Sequence, residues 1–244
     1  MVGCIKVSVV FPAYNEARRI EHAVKETVNV LGNIGVSYEI IIAEDGSTDG
    51  TDKIAAALAE RYMFVKHLHG HKRLGRGVAL NNAFRQSSGA ILVYMDVDLS
   101  TNVRQLPQLI NAVKEEGFDI AVGSRLLPES KVERTRARTL TSKIYNFFVR
   151  LLLGSKVRDH QCGFKAFRRE VISPLLGAVR AHHWFWDTEL LVRAMRNNLT
   201  VKEIPVEWHC TRETKVRLFK DSFGMFLQVV QLWWQLKHEY HEVL

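Results

Sequence analysis

The sequence predicts an α/β protein whose mainly parallel sheet is covered by helices on both faces. Short β-branched runs alternate with segments in which apolar residues recur at helical spacing, and polar loops follow the apolar runs. With 244 residues and 47% hydrophobic composition, the chain is large enough to bury one sizeable core. Alternation of this kind is typical of parallel strands joined by crossover helices.

The first half of the chain alternates strands with helices. A β-branched run at Ile5–Phe11 predicts a buried first strand, and apolar residues at helical spacing between Glu16 and Leu31 predict the first helix. The Asp45–Gly50 loop, rich in turn and cap residues, follows the second strand. The other predicted strands cover about 38–43, 64–68, 90–95 and 119–123, and the helices after the first end near 61, 86 and 116.

The second half, from about Arg125, is less regular and contains two long helical patterns. The apolar stretch Ile144–Leu153 is too short to span a bilayer, and its flanking cations fit an interfacial helix as well as a core helix. The apolar stripe in Phe219–Trp234 predicts an amphipathic helix that serves as core or as an oligomer interface. We therefore predict one domain at 1–217 and a helical extension at 218–244.

The charge distribution indicates a local anionic partner. The net charge is +8, and residues 131–158 alone carry eight basic groups and one acidic group. Such clustering is unlike a general nucleic-acid binder and fits membrane phosphates or a phosphorylated substrate. The three cysteines share no disulfide or zinc pattern, and we expect neither a signal peptide nor a transmembrane helix. The expected location is cytoplasmic, soluble or peripheral to a membrane.

Three polar loops are predicted at the carboxyl ends of the strands, where ligands bind in parallel sheets. They are Pro12–Glu16, Glu44–Thr51 and Asp96–Thr101. In the third loop, Asp96 and Asp98 follow an apolar strand, and like charges so close repel unless a cation lies between them. We predict Mg2+ or Mn2+ at Asp96, Asp98 and Ser100, although two carboxylates capping the next helix also fit.

The other loops supply candidate contacts to a nucleotide. Asp45 is suited to accept hydrogen bonds from a base or ribose, and Tyr14 to lie against the base. The glycines around Arg76 precede a helix whose N-terminus can receive phosphate, although a plain turn fits equally. The predicted nucleotide contacts are Pro12, Tyr14, Asn15, Glu16, Asp45, Gly75, Arg76, Asp96 and Val97.

The three loops together resemble family 2 glycosyltransferases with the GT-A fold, a Rossmann-like α/β fold. Motifs in the second half, at Val157–Phe167, Trp184–Leu191 and Ile204–Trp208, resemble dolichyl-phosphate glucosyltransferases and other polyprenyl-phosphate glycosyltransferases. The resemblance implies an inverting enzyme that moves a hexose from a nucleoside diphosphate sugar to dolichyl or polyprenyl phosphate at the cytoplasmic membrane face. UDP-glucose is the favoured donor, and GDP-mannose is the alternative.

The resemblance also implies roles for charged residues of the second half. Arg125, Lys165, Lys215 and Arg217 are expected to receive the acceptor phosphate. Asp187 falls where related sugar-polymerising enzymes place a general base, and it is also suited to orient Lys165. The expected catalytic residues are Asp98, Asp187, Arg125 and Lys165. Three other interpretations are a glycan or polysaccharide acceptor, a nucleotidyltransferase and a non-catalytic membrane-docking module.

Three histidines form a separate pattern. His67, His69 and His71 alternate along a predicted strand and its exit. No carboxylate is nearby in sequence, so an exposed strand end is preferred to a zinc site.

Overall fold

A computed structural model of the protein describes residues 6–209 and 218–239. Its main sheet has seven strands in the order β3-β2-β1-β4-β7-β5-β8, and a small second sheet pairs β6 with β9. The strands are β1 Val7–Ala13, β2 Tyr38–Asp45, β3 Val65–Gly70, β4 Ile91–Met95, β5 Ile120–Ser124, β6 Lys131–Glu133, β7 Phe164–Arg168, β8 Val201–Pro205 and β9 Glu207–His209.

The helices follow the strands in the predicted alternation. They are α1 Ile20–Ile34, α2 Thr51–Arg61, α3 Arg76–Gln86, α4 Leu106–Lys114, α5 Arg136–Leu153, α6 Arg169–Ile172, α7 Trp186–Arg196 and α8 Leu218–Glu239. The strands and helices predicted for the first half are confirmed, with ends that shift by a few residues. The mainly parallel α/β architecture is likewise confirmed.

One strand of the sheet runs against the others. β1 pairs in parallel with β2 and β4, and β5 pairs in parallel with β8, but β7 lies antiparallel between β4 and β5. The sequence pattern did not predict this strand. Its register places Lys165 opposite Tyr94 and Phe164 opposite Met95. It thereby brings second-half residues next to the loop that follows β4.

The central strands β1 and β4 are almost entirely apolar because both faces of the sheet are buried there. Val9, Ile42 and Val93 face the core under α1 and α4, whereas Ile41 and Leu92 face the core under α3 and α7. Packing on both faces explains why the strand sequences are continuous apolar runs rather than alternating ones. The buried strands hold the loops at their carboxyl ends in fixed positions.

The apolar segment 144–153 belongs to a longer helix with two different faces. Tyr145, Val149 and Leu153 of α5 are buried against α7 and α8. The opposite face is exposed and apolar, and it comprises Leu140, Ile144, Phe147 and Leu151. The core interpretation is therefore confirmed for one face of α5, and the interfacial interpretation of the other face stays a prediction.

The apolar stripe predicted in α8 is not the face that packs on the core. The buried residues are Met225, Val229, Leu232 and Leu236, which pack on α5 and α7. Most of the predicted stripe with described side chains faces outward instead, namely Leu227, Val230, Trp233 and Trp234. The alternative role of the stripe as an oligomer interface stays a prediction. The helix has two apolar faces, so periodicity alone does not show which one is buried. Within the described ranges, none of the helices combines the length and hydropathy that crossing a bilayer requires.

Candidate active site

A cavity of about 310 Å3 lies at the carboxyl ends of β1, β2, β4 and β5. The predicted residues that line it are Pro12, Tyr14, Glu16, Asp45, Arg76, Asp96, Val97, Asp98, Ser100, Arg125 and Asp187. The lining residues that were not assigned to the site are Ala13, Arg19, Arg73, Ala79, Arg134, Arg138, Thr141, Ser142, Tyr145, Gln161, Trp184, Trp208 and Met225. The three predicted loops therefore meet at one site.

The first loop is fixed to the second by hydrogen bonds. The backbone N–H of Asn15 donates to Ser47 Oγ at 3.0 Å, and Asn15 Oδ1 accepts from the N–H of Thr48 at 2.8 Å. Asn15 adopts φ +54°, a left-handed conformation that asparagine tolerates better than most residues. The N–H of Glu16 donates to Thr51 Oγ1 at 2.8 Å. Asn15 and Glu16 therefore join the two loops, as well as being candidate ligand contacts.

Asp45 holds the loop that precedes α3. Its two carboxylate oxygens accept hydrogen bonds from the backbone N–H groups of Leu74 and Gly75, at 2.8 and 2.9 Å. Gly75 has φ +114°, and a Cβ there would stand 2.3 Å from the carbonyl oxygen of His182. Only glycine fits this position. Asp45 thus positions the start of α3, and its contact with a base or ribose stays a prediction.

Arg76, the first residue of α3, points into the cavity. Its Nη1 lies 2.6 Å from Asp96 Oδ1, and its guanidinium lies 5.2 and 5.1 Å from the ring centres of Tyr94 and Trp184. Burial lowers the pKa of Arg76, but Asp96 and Asp187 raise it more, so the group stays charged. Its Nε and Nη2 are buried without a hydrogen-bond partner among the described residues. These donors suit an anionic ligand.

The acidic loop after β4 offers oxygen ligands. Asp98 Oδ1 accepts from the N–H of Ser100 at 2.9 Å, and the N–H of Asp96 donates to the carbonyl oxygen of Gly163 at 3.0 Å. Burial raises the pKa of Asp96 more than Arg76 lowers it, and the neighbouring Asp98 raises it further. Two carboxylates and a hydroxyl form a hard oxygen set whose repulsion a divalent cation would relieve. The residues therefore fit Mg2+ or Mn2+.

Lys165 does not reach the cavity, contrary to its expected role as a phosphate ligand. Its side chain is fully buried, and Nζ contacts Asp187 Oδ1 at 2.8 Å, the hydroxyl of Tyr94 at 2.9 Å and the carbonyl oxygen of Cys162 at 2.5 Å. Tyr94 donates a short hydrogen bond to the same Asp187 oxygen. Burial lowers the pKa of Lys165 to about 7 and raises that of Asp187 to about 7. The geometry matches the alternative in which Asp187 and Lys165 orient each other.

Arg125 is held by a carboxylate that the sequence analysis did not select. Asp159, fully buried, accepts from Arg125 Nε at 2.7 Å, from Nη2 at 2.9 Å and from the backbone N–H at 3.0 Å. Burial raises the pKa of Asp159, but the ion pair and hydrogen bonds with Arg125 lower it by more. The pKa of Asp159 therefore lies well below its usual range. The guanidinium lies 5.8 Å from the ring centre of Trp208. Arg125 is therefore charged and fixed at the cavity wall.

A buried histidine braces the Asp159 loop against α5. His160 Nδ1 donates a hydrogen bond to Asn146 Oδ1 at 2.7 Å, and His160 Nε2 lies 2.7 Å from Ser155 Oγ. Burial lowers the pKa of His160 to about 3, so the ring is neutral and accepts from the Ser155 hydroxyl. His160 therefore has a structural role, which is to hold the Asp159 loop on α5.

The set of cations that line the cavity differs from the expected one. Arg134 and Arg138, which flank the first residue of α5, line the cavity together with Arg125. Lys215 and Arg217 lie outside the described residues. Tyr94, Asp159 and Gly163 also shape the site. Asp159 and Gly163 occur in the Val157–Phe167 motif, whereas Tyr94 sits within an apolar strand and gave no sequence signal.

The fold and the site define a class. The mainly parallel seven-stranded sheet, with an Asp-x-Asp loop at the end of β4 and polar loops after β1 and β2, matches the architecture of GT-A glycosyltransferases. The sequence profile of glycosyl transferase family 2 matches residues 8–176. The chain belongs to glycosyl transferase family 2, and it is a glycosyltransferase.

Individual relatives agree with this assignment. The chain is 48% identical to glycosyltransferase AglD of Haloferax volcanii over 95% of its length, and it spans 38% of that relative. It is 31% identical to dolichyl-phosphate beta-glucosyltransferase ALG5D of Trichomonas vaginalis, covering 88% of the chain and 69% of the relative. The Saccharomyces cerevisiae dolichyl-phosphate beta-glucosyltransferase is 27% identical, with 93% and 73% covered.

Solved structures share the fold. Glucosyl-3-phosphoglycerate synthase from Mycobacterium tuberculosis, in complex with UDP, superposes with a TM-score of 0.68 at 24% identity over 93% of this chain and 78% of that one. The same synthase with Mn2+ and UDP-glucose gives a TM-score of 0.64 at 22% identity, covering 92% and 76%. At this identity the likeness establishes the GT-A fold alone.

Proposed function

We propose that this glycosyltransferase moves glucose from UDP-glucose to the phosphate of dolichol or another polyprenol, assisted by Mg2+ or Mn2+. The observation that carries the proposal is that carboxylates and a group of arginines line the same cavity. The carboxylates are Asp96 and Asp98, and the arginines are Arg125, Arg134 and Arg138. This combination suits a donor diphosphate with its cation and an anionic acceptor bound in one site.

The donor half is assigned to the loops after β1, β2 and β4. Tyr14 is the candidate platform for the base, and the guanidinium of Arg73 lies 3.9 Å from its ring centre. Arg76 offers two buried N–H donors toward the diphosphate. A divalent cation held by Asp96, Asp98 and Ser100 would supply charge neutralisation for the leaving diphosphate. The UDP and Mn2+ bound by the Mycobacterium tuberculosis synthase support this donor, and GDP-mannose is the alternative.

The acceptor half is assigned to the arginines. A phosphate monoester loses its second proton with a pKa of about 6, so it is nucleophilic without a strong base. Arg125, fixed by Asp159, would bring this anion to the anomeric carbon together with Arg134 and Arg138. The names of the dolichyl-phosphate beta-glucosyltransferase relatives support the acceptor class. In-line attack opposite the diphosphate would invert the anomeric centre.

One observation favours a second acceptor class. Asp187 lines the cavity, and burial raises its pKa to about 7, which is suited to a general base for a hydroxyl acceptor. That arrangement would serve transfer to a glycan or polysaccharide. The ion pair with Lys165 supports the positioning role instead, because the lysine would have to release the carboxylate before it accepts a proton.

Membrane contact follows from the acceptor. The exposed apolar face of α5 begins at Leu140, two residues after Arg138 of the cavity lining, and α8 adds exposed tryptophans. Phe148 of α5 and Phe226 of α8 join the two helices, with ring centres 5.0 Å apart. An apolar face bordered by arginines is suited to the interface of an anionic membrane. We therefore place the protein at a membrane surface, with the cytoplasmic face as the expected side.

The test is a transfer assay with purified protein, Mn2+, labelled UDP-glucose and a short, water-soluble polyprenyl phosphate. The expected product is a glucosyl phosphate lipid that Asp98→Asn does not form. GDP-mannose in place of UDP-glucose tests the alternative donor, and an oligosaccharide in place of the lipid tests the alternative acceptor. The proposal is overturned when lipid phosphate receives no sugar from any donor.

A further inference from the structure

A cluster of potential metal ligands lies at the edge of the sheet, away from the Asp-x-Asp loop. Glu44 of β2 pairs in register with His69 of β3, and His67 lies two residues earlier on the same face of β3. One ligand atom from each of the three side chains lies within 4.8 Å of the other two. The sequence alone did not connect Glu44 with the histidines, because only the pairing of β2 with β3 brings them together.

The placement of the cluster suits a cation. Glu44 is buried, and its Oε2 lies 2.7 Å from Nδ1 of His69, whose side chain is exposed. His67 Nε2 is buried and has no hydrogen-bond partner among the described residues. A simple Glu44–His69 ion pair leaves this buried nitrogen unexplained.

The ligand types select a class of ion. Two imidazole nitrogens and one carboxylate oxygen match Zn2+, whereas Mg2+ prefers oxygen ligands alone. Nitrogen and oxygen ligands lie about 2.0–2.2 Å from a Zn2+ ion, so two ligand atoms of a tetrahedral site are about 3.4 Å from each other. The Glu44–His69 pair would therefore open by about 0.7 Å, while the more distant His67 nitrogen moves closer. These shifts lie within reach of side-chain rotations.

We propose that Glu44, His67 and His69 form a second metal site, selective for Zn2+ over Mg2+. Glu44 Oε1 accepts a hydrogen bond from the N–H of Ser47, and Ser47 Oγ accepts one from the N–H of Asn15. An ion on Oε2 leaves these bonds in place and fixes the carboxylate that supports both loops of the donor site. Zn2+ binding thus stabilises the fold without taking part in glycosyl transfer.

The test is calorimetric titration of EDTA-treated protein with Zn2+ in excess Mg2+, which occupies the Asp-x-Asp loop. One Zn2+ is expected to bind and to raise the melting temperature. His67→Gln and His69→Gln are each expected to weaken Zn2+ binding at least about tenfold. Replacing a residue that only hydrogen-bonds to a metal ligand already costs about this much, and loss of the ligand itself should cost no less. With Co2+ as probe, the visible absorption of an imidazole-bound ion should disappear in both variants.

A matched control comes from the exposed pair of His209 and Glu133, whose atoms are 3.0 Å apart and which belongs to no three-ligand cluster among the described residues. His209→Gln should leave Zn2+ affinity unchanged. Melting of each variant in EDTA checks that it folds. The proposal is overturned if wild-type protein binds no Zn2+, or if both histidine variants bind it as tightly as wild type. If Asp98→Asn is the only variant that loses Zn2+ binding, the ion belongs to the Asp-x-Asp loop, and the proposal is also overturned.

Discussion

Gly163 lies against the carboxylate of Asp96, so closely that a Cβ at position 163 would stand 2.0 Å from Asp96 Oδ2. The carbonyl oxygen of the same glycine accepts the N–H of Asp96 at 3.0 Å. The first residue of the Asp-x-Asp loop therefore occupies space that only glycine leaves open. The antiparallel strand β7, which starts at Phe164, delivers this glycine to the end of β4.

Gly163→Ala should displace the Asp96 carboxylate and impair catalysis. We expect kcat to fall about 10²- to 10³-fold, the range for losing one fixed electrostatic group in an active site. Steady-state kinetics at several Mn2+ concentrations measure the loss. Gly177→Ala is the control, because a Cβ there meets nothing within 4 Å. A normal rate for Gly163→Ala would show that Asp96 need not hold its position.

The buried pair of Lys165 and Asp187 should respond differently to single and double replacement. Lys165→Met or Asp187→Leu alone leaves a buried charge without its partner, and we expect a loss of about 3–5 kcal/mol in the free energy of unfolding. The double variant should recover most of that stability but not the activity. Urea unfolding measures the first effect and a transfer assay the second. A double variant with normal turnover would remove both residues from the mechanism.

The pH profile of transfer should separate the two acceptor classes. Burial raises the pKa of Asp187 to about 7, so the ionised fraction of its carboxylate increases as the pH rises through about 7. A hydroxyl acceptor that needs Asp187 as base would give a rate that rises through pH 7. A phosphate acceptor ionises near pH 6, so kcat/KM should rise through about 6 instead. The Asp187→Asn variant should keep the rise of kcat/KM at about pH 6. If the variant loses the pH dependence of the rate, the result would favour Asp187 as a general base.

Asp159 should stabilise the fold against acid. Its folded pKa is lowered by Arg125, so its contribution is complete above the unfolded value of about 3.9 and is lost as the pH falls below it. Asp159→Asn should cost about 3–5 kcal/mol at pH 7, because Arg125 then stays buried without its partner. It should also flatten the acid limb of stability, measured by urea unfolding between about pH 5 and 2. Lys131→Gln, at an exposed ion pair, is the control.

The sequence predicted the parts of the site that lie in strand-to-loop transitions. Asp96 and Asp98 were found because polar residues directly after an apolar strand stand out. Lys165 was misplaced because a lone lysine gives no sign of burial. Its position depends on the antiparallel pairing of β7 with β4, and on the opposite Tyr94.

The same limit applies to the histidine cluster and to α8. The strands that bring Glu44 to His67 and His69 were both predicted, but the register that aligns them is a tertiary property. In α8, two apolar faces compete, and only packing against α5 shows which one is buried. Residues fixed by pairing and packing therefore needed the structure.

The exposed face of α5 should control access to long-chain acceptors. Phe147→Asp and Leu151→Asp replace side chains that are 58% and 63% exposed, so the fold should tolerate them. Each introduces a negative charge where the helix would meet anionic headgroups and acyl chains, and we expect weaker vesicle binding. Transfer to a long polyprenyl phosphate in vesicles should fall at least about tenfold, as for a loss of about 1.4 kcal/mol in binding. Transfer to a short, water-soluble acceptor should stay normal, because these residues do not line the cavity.

Met63→Asp is the matched control for this surface. Met63 is fully exposed and lies between α2 and β3, away from α5, so an aspartate there adds the same charge without touching the proposed face. Vesicle co-sedimentation and transfer assays on all three variants, at equal ionic strength, compare them directly. If Met63→Asp lowers vesicle binding as much as the α5 variants do, the effect is one of net charge. If none of the three lowers it, α5 does not meet the membrane, and its apolar face must serve another partner.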